Sequence, residues 1–390
     1  MTDAESKLIT QYADSDVHTL ALRLHDSQDV DAKFVIRQIA GRQIMRRKMP
    51  SWAENNGVIY PEHLPLEQCS SYFTACYKRE IGERLLSSFD KMADLTGGLG
   101  VDFFVMSEKF QHAVYAERNA GLCDIVRHNF EVFKRSNALM LNTDGVDFIK
   151  KATEHFSLIF IDPARRNSAG KKTVRIEDCE PDIRDFQDIM IQKADVVIVK
   201  LSPMADLADI VAKLHNVSEI HIVATTNECK EVLVVIQKEY VNDPQVFTVN
   251  DHQRFSFSLY SERDCAVALC QESDLDGKYL FEPNAAVMKS GAFKLISKAF
   301  SVDKLHVSSH LYVSSHDVGD FPGRRFYVEK VGQPKDFSDL GAANLAVRNF
   351  PEKAEMLKKK LKIKDGGNIY LFATTLYNGS KVIIQCKKVE

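Results

Sequence analysis

The stretch "ADLTGGLGVD", Ala93 to Asp102, joins a short apolar run ending in an acid to a loop with glycines at 97, 98 and 100. Such a loop lets a ligand touch backbone, and a helix opening behind it favours polar or anionic groups. Three carboxylates downstream are spaced to serve a nucleoside-like ligand. Glu117 closes "VYAE", seventeen positions after Gly100, and a carboxylate at the end of a second strand can accept from both ribose hydroxyls. Asp144, in "NTDGVDF", is placed to accept from an adenine exocyclic amine, and Asp147 competes for that role. Asp162 opens "DPARR" at the end of an apolar strand, facing the crevice where open parallel sheets bind ligands. A dinucleotide fingerprint fails at Phe103, and no Gly-Lys-Ser/Thr follows the glycines, which excludes a P-loop.

The elements that must position these residues are legible as alternating strands and helices. The pattern predicts strands at "KMADL", "HAVYAE", "ALMLNTD", "FSLIFIDP" and "DVVIVKLSP". Helices are expected at "NAGLCDIVRHNFEVF", "GVDFIKKA", "PDIRDFQDIMIQKA", with Pro181 in its first turn, and "MADLADIVAKLH". "FSLIFI" is continuously apolar but for one serine, as in a parallel strand buried on both faces. "SEIHIVATTNECKEVLVVIQ" reads strand, turn, strand. The series defines a doubly wound, Rossmann-like α/β core.

Before that core the chain reads as helical. In "DVDAKFVIRQIAGRQIMRRK" the apolar residues follow a helical period. Arg37, Arg42, Arg46, Arg47 and Lys48 fall mainly on the other faces, as a solvated basic surface or one that faces RNA, and Pro50 ends the segment. After the core, "PNAAVMKSGAFKLISKAF" reads as a helix following Pro283. "ANLAVRNF", "PEKAEMLKKKLKI" and "NIYLFATTLYNGSKVIIQCKKV" read as strand, helix and a hairpin turning at Asn378-Gly379, a small α+β unit. The expected divisions are a helical N-terminal domain over 1–88, the Rossmann-like domain over 89–245, a connecting α+β, ferredoxin-like region over 246–318 and a C-terminal domain over 319–390.

From about 90 to 240 the chain resembles class I S-adenosylmethionine-dependent methyltransferases. "ADLTGGLGVD" looks like their first motif, "AERN" like the ribose-binding acid, "NTDG" like the adenine-side Asp and "DPAR" like the motif at the reacting face. The whole chain is similar to bacterial methyltransferase-like proteins with a C-terminal THUMP-like domain, through "YLFEPNAAVMKSG", "FPGRRFYV", "NLAVRNFP" and "GGNIYLFATTLYNG". THUMP domains are RNA-binding modules of RNA-modifying enzymes. The resemblance implies S-adenosyl-L-methionine as cofactor and a base in ribosomal or transfer RNA as substrate. The loop is similar to that of enzymes methylating guanine N2 in ribosomal RNA.

The resemblance also implies residue roles. Asp94, Thr96, Gly97, Gly98, Gly100, Glu117, Asp144 and Asp162 form the cofactor-binding set, with the glycines against the methionine half and Asp94 toward its amino group or bracing the loop. Asp162 and the Pro163 carbonyl are the candidates to accept an N–H bond from an amine nucleophile and orient its lone pair. Amine-directed relatives carry Asp/Asn-Pro-Pro-aromatic, whereas Ala164 and Arg165 stand here. Arg165 can stack on a base or grip a phosphate, and Arg166 beside it is a substrate-binding candidate. "DP-x-R" is also similar to uracil-C5 methyltransferases of RNA. Their nucleophilic Cys after the fifth strand is missing from "KLSP", so that covalent route is disfavoured. Lys200 in "KLSP" is expected to face the cleft, and "SSYFTACYK", Ser70 to Lys78, to cover the cofactor. Lys358 and Lys359, in a lysine-rich helix with Tyr370, Phe372 and Tyr377 nearby, are candidates for RNA contact.

Bulk properties narrow the alternatives. The 390 residues suit two or three domains, and 45 % hydrophobic with 27 % charged residues describes a soluble globular protein. A net charge of −3 provides no global basic field for nucleic acid, which leaves only local basic faces. The eight cysteines form no C-x-x-C, so free thiols in a reducing cytoplasm are expected, with no disulfide framework. No metal is expected: the acids of "RIEDCEPD" fit a helix N-terminus better than a ligand set. "MTDAESKLIT" has no signal-peptide pattern and no apolar run suits a membrane span. Three rival readings remain: a methyltransferase of a protein or small molecule, a non-catalytic cofactor- and RNA-binding protein, and, more distantly, an NAD oxidoreductase. The oligomeric state is left open.

Overall fold

The computed structural model describes residues 1–24, 30–164, 175–272, 274–338 and 340–389. It divides into two compact units: Met1–Ser218 with Leu233–Val241, and Glu219–Val232 with Asn242–Glu390.

The first unit begins with helices α1 (Asp3–Gln11), α2 (Val17–Leu24), α3 (Ala32–Lys48), α4 (Pro50–Glu54), α5 (His63–Gln68) and α6 (Tyr72–Leu85). Side-chain caps start several of them: Asp31 accepts from Phe34 N at 3.0 Å and Ser71 from Thr74 N at 3.3 Å. Pro50 does not merely stop α3; it opens α4, where a missing N–H costs nothing. Much of the basic face of α3 is committed to this packing. Arg42 is buried, Arg37 and Arg46 pair with Glu62 and Asp14, and Lys48 donates to the carbonyls of Leu66, Glu67 and Cys69 at the end of α5.

Alternation then sets in with β1 (Lys91–Asp94), α7 (Val101–Met106), β2 (His112–Glu117), α8 (Ala120–Val132), β3 (Ala138–Asn142), α9 (Gly145–Lys151), β4 (Phe156–Ile161), α10 (Gln187–Lys193), β5 (Ala194–Leu201) and α11 (Leu207–Lys213). The strands run parallel in the order β3-β2-β1-β4-β5, and every residue of β4 is buried. The order reverses between β1 and β4, which opens a crevice at their carboxyl ends. Two expected helices are shorter than their patterns. Asp206 caps α11 by accepting from Ala208 N and Asp209 N, so that helix starts only at Leu207. Pro181 does not enter a helix. Glu180 pairs with Ala164, Asp182 accepts from Arg184 N in a short 3-10 turn, and α10 begins at Gln187.

Strands β6 (Val217–Thr225) and β7 (Glu228–Gln237) join through Thr226 and Asn227 at φ 50° and 62°, a tight hairpin turn. In the second unit β6 pairs in parallel with β8 (Gln245–Asn250), which pairs antiparallel with β9 (Gln253–Ser258). Strand β8 therefore straddles the boundary expected at 245/246, and sheet pairing runs on to Ser258.

The chain continues through α12 (Ser261–Asp264), β10 (Tyr279–Pro283), α13 (Ala285–Ser290), α14 (Phe293–Phe300), β11 (Asp303–Lys304), β12 (Tyr312–Ser314), β13 (Gly323–Gly332), β14 (Asn344–Arg348), α15 (Ala354–Leu361), β15 (Ile369–Thr375) and β16 (Lys381–Lys388). The single helix expected after Pro283 breaks at Gly291, whose φ of 75° ends α13. The strands form a second sheet ordered β11-β12-β10-β13-β16-β15-β14. The β14–α15–β15–β16 unit and its turn through Gly379, at φ 82°, match the expected βαββ pattern. Leu280, Phe326, Phe372 and Ile384 form one core of this sheet; Leu357 and Leu361 of α15 pack with Leu371 and Ile383 in another. Glu282 on β10 is nearly buried and binds two arginines: Arg324 Nε, opposite on β13, donates at 2.9 Å, and Arg348 on β14 donates at 2.7 Å.

Gly145 links α9 to the sheet. A Cβ there would lie 1.9 Å from the Leu95 carbonyl oxygen, so helix and strand end meet backbone to backbone. Gly145→Ala is expected to cost roughly 1–3 kcal/mol of stability, read as a lower urea midpoint at unchanged slope. A wild-type midpoint would show that this junction relaxes freely.

Candidate active site

The crevice floor starts from β1, whose last residue, Asp94, accepts from Thr96 N at 2.9 Å. Thr96 Oγ1 in turn accepts from the backbone N of Asp162 at 2.6 Å, which ties the loop after β1 to the loop after β4. Gly97 N donates to Ala116 O at 3.0 Å, and a Cβ on Gly97 would lie 2.2 Å from the ring of Tyr115. That ring, buried in β2, enforces glycine there, and its hydroxyl donates to Gly98 O at 2.6 Å. Tyr115 was invisible as a loop determinant in the sequence, because only its position under the loop reveals it. Gly98 and Gly100 have φ of 58° and 76°. A Cβ on Gly98 would meet nothing nearer than 3.6 Å, so it is conformation, not crowding, that calls for glycine there.

Glu117 ends β2 beside this loop. Its two oxygens accept from Gly98 N at 2.9 Å and Asn119 N at 2.8 Å, while Asn119 itself caps α8. The carboxylate is thus fixed in orientation and keeps lone pairs for further donors. Asp144 caps α9, accepting from Val146 N at 2.8 Å and Asp147 N at 3.1 Å, with Arg118 Nε 3.9 Å from its other oxygen. Asp147 is exposed in the first turn of the same helix.

Below the crevice lies a cluster of charges. Lys200, at the end of β5, is 8 % exposed, and its Nζ lies 2.6 Å from Asp162 Oδ2 and 3.4 Å from Asp102 Oδ2. Its ammonium is thus held between two carboxylates, one of them Asp162 at the crevice. Asp102, on α7, also accepts from Ser70 Oγ at 2.7 Å and pairs with Lys78 Nζ at 3.1 Å. Lys78, on α6, is fully buried. The segment "SSYFTACYK" thus contributes Ser70 and Lys78 to this floor. The network was missed in the sequence because its members are scattered over more than a hundred positions; that Lys78 is among the buried residues of α6 shows only in the fold.

The carboxylates respond differently to this environment. Burial, above all, pushes Asp94 up to about 8, helped by the nearby charges of Asp102 and Asp162 and opposed by the Thr96 amide and Lys200. Burial also works against the charge on Asp102, but Lys78, Lys200 and the Ser70 hydroxyl outweigh it and hold that carboxyl below the usual range. Asp162 Oδ2 is taken by Lys200. Its Oδ1 has no hydrogen-bond partner among the described residues, and the side chain is 36 % exposed.

Pro163 follows directly, and Ala164 pairs with Glu180, N to O at 2.8 Å. Arg165 and Arg166 lie outside the described residues. The acids of "RIEDCEPD" are drawn to cations: Glu177 to Lys213, Glu180 to Arg118 and Asp182 to Arg184. No described group of His, Cys, Asp and Glu converges as a metal site. No described helix is long and apolar enough to cross a membrane. In the second unit Lys358 pairs with Asp365 at 2.5 Å, whereas no ion pair of Lys359 is seen among the described residues. Tyr377 is exposed, Tyr370 is half-buried against Phe326, and Phe372 is in the core.

Reversed strand order, glycine loop and strand-end acids together define a Rossmann-like, class I methyltransferase core. Comparisons with known proteins carry this to a family. Residues 279–322 match a ferredoxin-like domain model and 323–388 a THUMP domain-like model. The chain is 31 % identical to a Porphyromonas gingivalis W83 protein named as a candidate methyltransferase, over 99 % of this chain and 98 % of that one, with a TM-score of 0.87. A more remote match is Escherichia coli yhhF, at 12 % identity over 43 % of this chain and 86 % of that one (TM-score 0.32). A Streptococcus mutans protein solved with SAH is 14 % identical over 42 % of this chain and 96 % of that one, also at TM-score 0.32. No functionally curated protein matches the sequence. The chain belongs to the family of the Porphyromonas gingivalis protein, class I methyltransferases with a C-terminal THUMP-like domain.

The raised Asp94 carboxyl has a consequence for stability. Its ordinary value is 3.8, so at intermediate pH the folded protein holds a proton that the unfolded chain has lost. This contribution is complete below that ordinary value and is lost as pH rises through about 8. Asp94→Asn keeps an acceptor for Thr96 N and removes the titration. Its melting temperature relative to wild type is expected to rise from about pH 5 to about pH 8.5, checked by calorimetric scans at both; an equal difference at both would show Asp94 charged throughout.

Proposed function

We propose that this protein transfers a methyl group from S-adenosyl-L-methionine to a base in ribosomal or transfer RNA, with guanine N2 the favoured acceptor. The observation that carries this reading is the convergence on one crevice of the glycine loop, the clamped Glu117 carboxylate and the half-exposed Asp162. The residues fit the cofactor: Glu117 keeps acceptor capacity for ribose hydroxyls, and Asp94 lies at the loop where an amino group would be received. Thr96, Gly97, Gly98 and Gly100 would hold the methionine half, and Asp144, beside its capping role, the adenine side. When bound, the cofactor supplies a methyl group activated by a sulfonium.

The protein's own contribution is to orient the acceptor and exclude water. Methyl transfer disperses charge, so positioning and desolvation serve better than a strong acid. Asp162 Oδ1 and the Pro163 carbonyl are the acceptors for an N–H of the incoming amine. With Ala164 turned toward Glu180, no aromatic follows Pro163 to stack on a base. That task falls to Arg165, with Arg166 as a further substrate contact. RNA as substrate is supported by the THUMP-like match over residues 323–388, with Lys359 and Tyr377 exposed on that region. We place the activity in the cytoplasm, in keeping with the eight free cysteines.

Calorimetry with S-adenosylmethionine, S-adenosylhomocysteine and NAD decides the cofactor; binding of NAD alone would return the oxidoreductase reading. Glu117→Ala is expected to weaken S-adenosylmethionine by roughly 10- to 100-fold through lost charge-assisted hydrogen bonds. Asp162→Ala should reduce methyl transfer by roughly 100-fold or more while cofactor affinity stays mostly intact, and full activity would remove Asp162 from the chemistry. Mass spectrometry of nucleosides from cells with and without the gene tests the substrate. An unchanged set would favour a protein or small-molecule acceptor, or a binding protein without catalysis.

A further inference from the structure

We propose that Lys78, supplied by the helical region that precedes the sheet, is a positioning residue for Asp162, acting through Asp102 and Lys200. This rests on the reading of Asp162 as the residue that orients the acceptor. The geometry is a chain of alternating charge: Lys78, Asp102, Lys200, Asp162. Lys78 Nζ lies 3.1 Å from Asp102 Oδ1; Lys200 Nζ lies 3.4 Å from Asp102 Oδ2 and 2.6 Å from Asp162 Oδ2. Ser70 Oγ donates to Asp102 Oδ2 at 2.7 Å and receives from Lys78 Nζ at 3.2 Å.

Lys200 is shared unequally between its two carboxylates, and Lys78 sets the share. The Asp102 side chain is 10 % exposed against 36 % for Asp162. An unpaired carboxylate costs more the drier its surroundings. Left alone with Lys200, Asp102 would therefore have the stronger claim. Lys78 and Ser70 satisfy Asp102 in advance, so the Lys200 ammonium leans toward Asp162 and fixes which of its oxygens turns to the crevice. Among the described residues, the two cations and two anions of this series balance. Removing Lys78 alone leaves a deficit of one positive charge, which falls on Asp162, the more solvated member.

The test is a charge-balanced rescue. Lys78→Met should lower the methyl-transfer rate constant at saturating S-adenosylmethionine by roughly 10- to 100-fold, the scale of a misplaced reacting group, with cofactor affinity within a few-fold of wild type. The acceptor is RNA from cells lacking the gene. Adding Asp102→Asn removes one anion as well, returns Lys200 to Asp162 and should recover most of the lost rate. If Lys78 only fills space, the second substitution brings no recovery or further loss, which overturns the proposal, as does full activity in Lys78→Met.

Crystal structures of both variants decide the point without any activity. Lys200 Nζ on Asp102 in the single variant and back on Asp162 in the double supports the relay; Lys200 unmoved in the single variant overturns it. Absence of S-adenosylmethionine binding by the wild type would count against the proposed function and leave that structural comparison intact. Should Lys78→Met not fold, Lys78→Gln, which keeps a donor toward Asp102, takes its place in both measurements.

Discussion

Pairing of charge in a dry place is the constraint on which the rest of this structure depends. Two ammoniums and two carboxylates meet under the carboxyl end of the parallel sheet, with the buried carboxyl of Asp94, which keeps its proton at neutral pH, close by. Each removal from water is costly, and only close opposite partners offset it. Those partners come from α6, α7, β5 and the end of β4, so these elements are held to a common register. A shift of any one would strand a charge. The helices before the sheet are therefore part of the site's foundation as well as an appendage to it.

The glycine loop obeys a different constraint, one of space. Tyr115 sits beneath Gly97, and Gly145 presses on the carbonyl of Leu95. Backbone approaches backbone and ring here with no room for a methyl group. Glu117 completes the loop by accepting from Gly98, so the residue expected to meet a ribose also shapes the turn. One carboxylate thus serves the turn in the free protein and keeps lone pairs for a ligand.

The strand–helix series and the strand-end acids were legible because each reflects a local rule: apolar runs for buried strands, glycines where φ is positive, acids at strand ends. What escaped depended on distance in the chain. Asp102 looked like an ordinary residue of a helix's first turn, and nothing near it announced Lys78 or Lys200 as partners. The sequence shows the charge of Lys200 but not the two carboxylates that hold it. The helix expected at Pro181 failed for a similar reason. Its residues have helical spacing, but the pairing of Ala164 with Glu180 and the Asp182 side chain take up the backbone groups first. Lys48 carried no sign that it would close off the carbonyl end of α5.

The Glu282 cluster bears on how the C-terminal half can be taken apart. Glu282 belongs to the segment matched as ferredoxin-like, and Arg324 and Arg348 to the segment matched as THUMP-like. Strands β10 and β13, one from each segment, are hydrogen-bonded neighbours in a single sheet. A cut at the seam between the two sequence modules would expose a sheet edge on both sides and strip a buried carboxylate of both counter-ions. The modules are separable in sequence descriptions but not as material pieces. They share one sheet and one buried ion cluster, so each completes the other's structure.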